Sequence, residues 1–267
     1  MKNKRIFKNK KTKHPTAKKW TVRLISGLAT AVFWLVIWQA GSMLVGKEIL
    51  LPSPLVTLKH LAALFSTWDF IIACGVSIIR IMLGFLLGCA VGVILAVVCH
   101  TVPFLNTLLT PLKATVKATP VASFIIIAYM WLTKSEIPGF IASLIVIPIM
   151  WSNISAGLEN VDKRLVEVGK MFSFSPFYYL KHIYFPSIKP YFTAGAITGI
   201  GLAWKSGIAA EVLVVARDGI GGLLYESKIY FESADLFAIT AVVIAISLII
   251  EKTFERFMKG TKKNDKA

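Results

Sequence analysis

The run from Leu24 to Val45 is 22 residues long and carries no charged side chain. At about 1.5 Å of rise per residue, roughly 20 apolar residues cross the hydrocarbon core of a bilayer. Five further segments approach that length: Ile81–Cys99 with an apolar lead-in from Phe70, Ala118–Thr133, Ile137–Leu158, Pro190–Val215 and Leu236–Ile250. A chain holding six such runs is confined to helices, because each helix satisfies its own backbone polar groups where water is absent. Composition agrees. Hydrophobic residues make up 56% of the 267 and charged residues only 16%, outside the usual range of water-soluble domains. Leu24–Val45 exceeds the apolar core of a secretory leader and is read as a retained span.

The charges give the spans a direction. The net charge is +16, from 30 Lys and Arg against 14 Asp and Glu, and the basic residues cluster. Ten lie between Lys2 and Arg23, and six (Lys252, Arg256, Lys259, Lys262, Lys263, Lys266) follow the last apolar run. With the N-terminus inside and six spans, 23 basic residues fall on the cytoplasmic side. Five (Lys47, Lys59, Lys134, Arg217, Lys228) fall outside. This is the asymmetry that sets membrane orientation. Five or seven spans would strand one basic tail on the wrong side. The expected organisation is therefore a basic cytoplasmic tail over 1–23, a single membrane domain over 24–251 and a second basic tail over 252–267. Neither tail has the basic face with interleaved aromatics that nucleic-acid binding requires, and no nucleic-acid partner is expected. Gly84, Gly88 and Gly92 recur every four residues along one helix face, a pattern that lets neighbouring spans approach closely.

Most loops are short, but residues 159–189 form a cytoplasmic stretch long enough to need structure of its own. Val161, Leu165, Val168 and Phe172 keep helical spacing, with Lys163, Glu167 and Lys170 on another face. Ser175 then provides an N-cap and Pro176 a first-turn proline for a second helix, which Pro186 is expected to close. Phe177, Tyr178, Tyr179, Leu180, Ile183 and Tyr184 make that second helix rich in aromatic and apolar residues, the signature of a docking surface.

This loop resembles the signature E-A-A-x3-G-x9-I-x-L-P of importer-type ABC permeases. Glu167 stands at its acid, Val168 and Gly169 at its two alanines, Ser173 at its glycine, Ile183 at its isoleucine and Phe185-Pro186 at its final pair. The register is complete. Ser173 is the departure that matters, because a glycine between two helices commonly supplies a left-handed conformation that other residues adopt at a cost of about 1 to 2 kcal/mol. Leu51-Pro52-Ser53-Pro54, Ser77–Gly84, the Pro120 segment, Gly157–Asp162, Trp204–Glu211 and Gly219–Gly222 resemble the sulfonate, taurine and nitrate branch. The resemblance implies the all-α importer-type permease fold and a cell-membrane location. It also implies a second permease (a homodimer), two copies of a cytosolic ATP-binding subunit and an extracytoplasmic substrate-binding protein. ATP hydrolysis would then reside in the partner, and this chain would not itself be an enzyme. Glu167, Gly169, Ser173, Pro176, Phe177, Tyr178, Ile183 and Pro186 would form the ATPase-docking loop.

Residues 41–48, GSMLVGKE, nearly spell a phosphate-binding loop. Glu48 occupies the position of the metal-binding hydroxyl, no strand precedes it, and the topology puts it outside. It reads as a span ending in an interfacial turn. Asp218–Gly222 reads as a turn into a re-entrant or surface segment. The four histidines (His14, His60, His100, His182) are scattered, so no metal or cofactor is expected and no catalytic constellation stands out. Cys74, Cys89 and Cys99 lack metal-ligand spacing.

Ionisable residues inside spans are costly, at about 2.5 kcal/mol or more on insertion scales, and count as functional candidates. Arg80 is expected to snorkel at the outer interface. Lys205 lies deep in the fifth span beside Trp204. It faces either a passing anion or an internal partner, with Glu211 near the outer mouth. Lys205, Trp204 and Glu211 are thus the candidate translocation-pathway residues, and a small anion is the expected cargo. A pyrimidine-type vitamin precursor is the alternative within the family. An ATP-independent secondary transporter is the rival from another class; it would favour inverted repeats and discontinuous spans, neither of which the sequence displays.

Overall fold

A computed structural model describes residues 17–264 of the chain, with side chains from Ile25 to Met258. Among these residues every regular element is helical. Ser53 caps α2 (Pro54–Phe65) by accepting from the Val56 amide at 3.3 Å, with Pro54 in the first turn, so the proline's missing N–H costs nothing there. The chain leaves α1 (Ala17–Val45) through Gly46, at φ +63°, in the interfacial turn read from the sequence. α3 (Trp68–Thr101) carries Asp69 in its first turn, where a negative charge suits the helix dipole.

α3, α6 (Ile137–Glu159) and α9 (Phe185–Val214) form the centre of the bundle. The glycine ladder is the reason α3 and α6 come so close. A Cβ at Gly84 would lie 2.1 Å from the Gly139 carbonyl oxygen, and one at Gly88 would lie 2.7 Å from that of Ser143. Met150 and Trp151 on α6 occupy the space that Gly92 leaves. Ile81, Phe85, Val146, Met150, Ile154, Ile200 and Trp204 fill the core between these helices.

α11 (Ser233–Asn264) and α2 flank this centre. His60 of α2 meets Asp235 of α11 at 2.7 Å, and Trp38 of α1 stacks on Phe237. α1 is otherwise exposed along almost all its described length. α11 continues past residue 252 without a break at the expected start of the C-terminal tail. Residues 1–16 and 265–267, the outer parts of the two tails, lie outside the described residues.

Among the described residues, five helices are long and apolar enough to cross a membrane. The sixth crossing differs from the expected straight span Ala118–Thr133. It is a pair, α4 (Pro103–Ala118) and α5 (Val121–Ala128), bent by 101°. Pro120 is the cause: it has no N–H to continue the ladder and disfavours the helical conformation in the residue before it, leaving Thr119 extended at φ −74°, ψ 131°. Counting the pair as one crossing gives six candidate spans among the described residues, the number expected.

A second correction concerns Pro186, which does not close the loop's second helix. α8 (Pro176–Tyr179) passes through a π-helical turn, Leu180–Tyr184, directly into α9. The wide turn, in which the Phe185 amide reaches back to the Leu180 carbonyl, lets the helix run on through a proline with no amide to give.

Candidate functional site

The 159–189 loop is built on two capped helices. Asp162 caps α7 (Lys163–Met171) by accepting from the Arg164 amide at 2.9 Å. At its other end the Phe174 amide bonds to the Gly169 carbonyl (3.0 Å) and the Ser173 amide to the Lys170 carbonyl (3.1 Å). This paired closure requires a left-handed residue between them, and Ser173 takes that role at φ +49°. The serine therefore keeps the turn that the signature glycine would make. Ser175 then caps α8 by accepting from the Tyr178 amide at 3.3 Å.

Gly169 is the joint between the two helices. A Cβ there would lie 2.8 Å from the Tyr179 ring, whose hydroxyl donates to the Val166 carbonyl. Ile183 is buried, whereas Glu167 and Pro186 are exposed. Glu167 lines a groove of mixed character, with Lys163, Lys170 and Glu159 beside Leu158, Val161 and Val166. Tyr178 stacks on His182 at 4.0 Å and packs on Phe174 at 4.3 Å. Phe177, beside it, is 71% exposed, and Met171, Phe172 and Leu180 are exposed with it. The result is a turn that presents exposed apolar side chains on the surface of the chain.

At the opposite end of the bundle the structure gathers residues the sequence left apart. Glu211 of α9 is fully buried and accepts from Ser77 Oγ of α3 (2.7 Å) and from the Gly221 amide (3.0 Å) of α10 (Ile220–Ile229). Arg80, one turn along α3 from Ser77, donates to Glu211 at 3.2 Å, to Ser135 at 2.6 Å and to Asp218. The same Ser77 oxygen accepts from the Ile220 amide at 2.9 Å. Gly219 and Gly221 make room for the carboxylate; Cβ atoms there would lie 2.7 Å and 2.2 Å from Glu211 atoms. Burial pushes the Asp218 carboxyl up, but hydrogen bonds from Arg80 and Ser135 and the Arg80 charge outweigh it and hold the group below its usual range.

One sequence expectation is corrected here. Arg80 does not snorkel outward; its side chain is only 11% exposed and is turned into the bundle by Glu211. Glu211, expected near the outer mouth, is fully buried and enclosed by α3, α9 and α10. The signal lay in the sequence: two lone, opposite charges at what the topology makes the outer ends of neighbouring spans. It was missed because they are 131 positions apart.

Trp204 is also interior. It is 1% exposed and donates its indole N–H to the Val243 carbonyl at 3.1 Å, so it holds α9 to α11. Lys205 points the other way. Its side chain is 67% exposed, and its ammonium lies 3.8 Å from Glu251 of α11. Of the three candidate pathway residues, Lys205 alone has an open side chain. No group of three or more His, Cys, Asp or Glu that could hold a metal occurs among the described residues.

The model of the family described as "Binding-protein-dependent transport system inner membrane component" matches residues 88–259, more than half of the chain. The nitrate import permease protein NrtB of Synechocystis sp. is 26% identical over 230 residues, covering 82% of each chain. The putative aliphatic sulfonates transport permease protein SsuC of Bacillus subtilis is 23% identical over 238 residues, covering 88% of this chain and 84% of the other. The bicarbonate transport system permease protein CmpB of Synechocystis sp. is 25% identical over 176 residues, covering 65% and 62%. Among solved structures, a bacterial ABC transporter involved in the import of the acidic polysaccharide alginate aligns over 90% of this chain and 96% of its own, with a TM-score of 0.61 and 17% identity. That likeness is one of fold.

Proposed function

We propose, because this chain belongs to the family of binding-protein-dependent transport system inner membrane components and is the permease subunit of an ABC importer, that it forms the passage across the cell membrane for a small inorganic or organic anion. The broken span α4–α5 removes one sequence argument against an ATP-independent transporter, and family membership replaces it.

Two copies of the chain, two ATP-binding subunits and an extracytoplasmic binding protein would complete the importer. The ATPase would seat against the 159–189 loop, with Phe177 entering its groove and Glu167, Gly169, Ser173, Pro176, Ile183 and Pro186 shaping the turn that carries movement into α9. The observation behind this reading is the geometry of that loop: a left-handed Ser173, a close Gly169–Tyr179 contact and exposed apolar side chains continuous with a membrane-crossing helix. Helix continuity through Leu180–Tyr184 gives a rigid route from the docking surface to Lys205.

Anion cargo is supported by three relatives whose names specify nitrate, aliphatic sulfonates and bicarbonate, and by an open cationic side chain within α9. The test is ATP-dependent uptake of labelled nitrate, methanesulfonate and bicarbonate by the complex reconstituted in vesicles, with a Lys205→Met counterpart. Uptake of one anion that fails with Lys205→Met, while the ATPase still co-purifies, is the expected result. Uptake of none of the three, or wild-type uptake by Lys205→Met, would overturn the anion reading or the role of Lys205, respectively.

A further inference from the structure

Lys205 and Glu251 form an unequal pair. Glu251 is held: its Oε1 accepts from Ser247 Oγ at 3.2 Å, one helical turn back on α11. It also lies against Gly201 of α9, where a Cβ would come within 2.6 Å of the same oxygen. Its side chain is 36% exposed. The more open Lys205 has Glu251 as its ion-pair partner among the described residues, at 3.8 Å, beyond hydrogen-bond length. Both charges sit within membrane-crossing helices, Lys205 nine residues before the end of α9 and Glu251 eighteen residues into α11. Lipid is a poor neighbour for either. One carboxylate is therefore fixed, while the ammonium is free to turn to another anion.

We propose that Glu251 is the built-in counter-charge of Lys205, a positioning residue that occupies the ammonium between transport events and weakens the grip on an anion that displaces it. The inference rests on the reading of Lys205 as a pathway residue. Passage requires binding strong enough to admit an anion and weak enough to release it. A bare ammonium at this depth would hold an anion tightly; a carboxylate fixed within a few ångströms repels that anion as it attracts the lysine. Ser247 and Gly201 keep the carboxylate at that distance.

The test requires no knowledge of the natural cargo. Lys205→Cys is placed in the full complex in membranes. Its modification is followed with two thiol reagents of matched size, the anionic 2-sulfonatoethyl and the cationic 2-(trimethylammonium)ethyl methanethiosulfonates. The rates are compared in the Glu251 and Glu251→Gln backgrounds, and reaction at Cys74, Cys89 and Cys99 is measured in parallel without the new cysteine. The expected result is a rise in the anionic-to-cationic rate ratio of roughly fivefold or more on Glu251→Gln. Reaction with an unchanged ratio would overturn the role of Glu251 and leave the pathway reading standing. Reaction with neither reagent would overturn both. If Glu251→Gln fails to assemble, Glu251→Asp draws the charge one methylene back; a smaller shift in the same direction supports the proposal, and no shift overturns it.

Discussion

Arg80 and Glu211 stand 3.2 Å apart although 131 positions separate them, and the carboxylate of the pair has no exposed surface. Removing one member of a buried pair leaves the other charge uncompensated, which typically costs about 3 to 5 kcal/mol. Arg80→Met is expected to cut the yield of folded protein sharply and lower its Tm in detergent. Adding Glu211→Gln to Arg80→Met should restore part of the loss, since no net charge is then buried. A double variant no more stable than Arg80→Met alone would contradict a charge-based role.

Asp218 shares Arg80 but faces solvent on its other side, so its contribution should depend on pH. Its carboxyl is held below the usual range, so the stabilisation is present above the unfolded value of about 3.9 and is lost as pH falls through the lower folded value. The Tm gap between wild type and Asp218→Asn should therefore be constant near neutrality and close in acid. A gap that persists unchanged at pH 3 would show that the carboxylate charge is not what Asp218 contributes.

Ser173 holds φ +49°, a conformation that costs a residue bearing a Cβ about 1 to 2 kcal/mol. Ser173→Gly removes that strain but adds freedom to the unfolded chain, so a net gain of about 0.5 to 1 kcal/mol is expected, read as a higher Tm. Ser173→Val should lower the Tm and loosen the loop. A destabilised glycine variant would mean that the serine earns its place through a contact absent from the single protomer.

The features legible in the sequence are those that local rules or composition encode. Apolar length gave five of the six expected spans, and Ser175-Pro176 gave a helix start. Pro120 and Pro186 show where local rules fall short. Both prolines remove an amide, yet the chain turns by 101° at one and runs straight through a π-helical turn at the other. Packing decides between these outcomes, and packing is not local. The partners of Arg80 and Lys205 were out of reach for the same reason. A charge in a span advertises that it needs a partner, but only the bundle brings Glu211 and Glu251 to it. Trp204 was placed with Lys205 because they are adjacent, yet adjacent helical residues project about 100° apart, and here one is core while the other is open.

The 159–189 loop, proposed as the ATPase-docking surface, yields the prediction on which the mechanism depends most. Phe177 is 71% exposed and makes no ring contact among the described residues, whereas Tyr178 is braced by Phe174 and His182. Phe177→Ala should therefore leave the fold of this chain unchanged and act only on what binds it. Buried interfacial aromatics are typically worth about 2 kcal/mol or more, so recovery of the ATP-binding subunit with the permease in detergent should fall by roughly thirtyfold in affinity. Tyr178→Ala should weaken recovery too, but through a disordered turn, and should show a lowered Tm that Phe177→Ala does not. Detergent matters because exposed rings near a bilayer also favour the headgroup region. Headgroups are absent from the purified complex, so a Phe177→Ala permease that retains its ATPase there would assign the ring to the membrane surface instead of the partner.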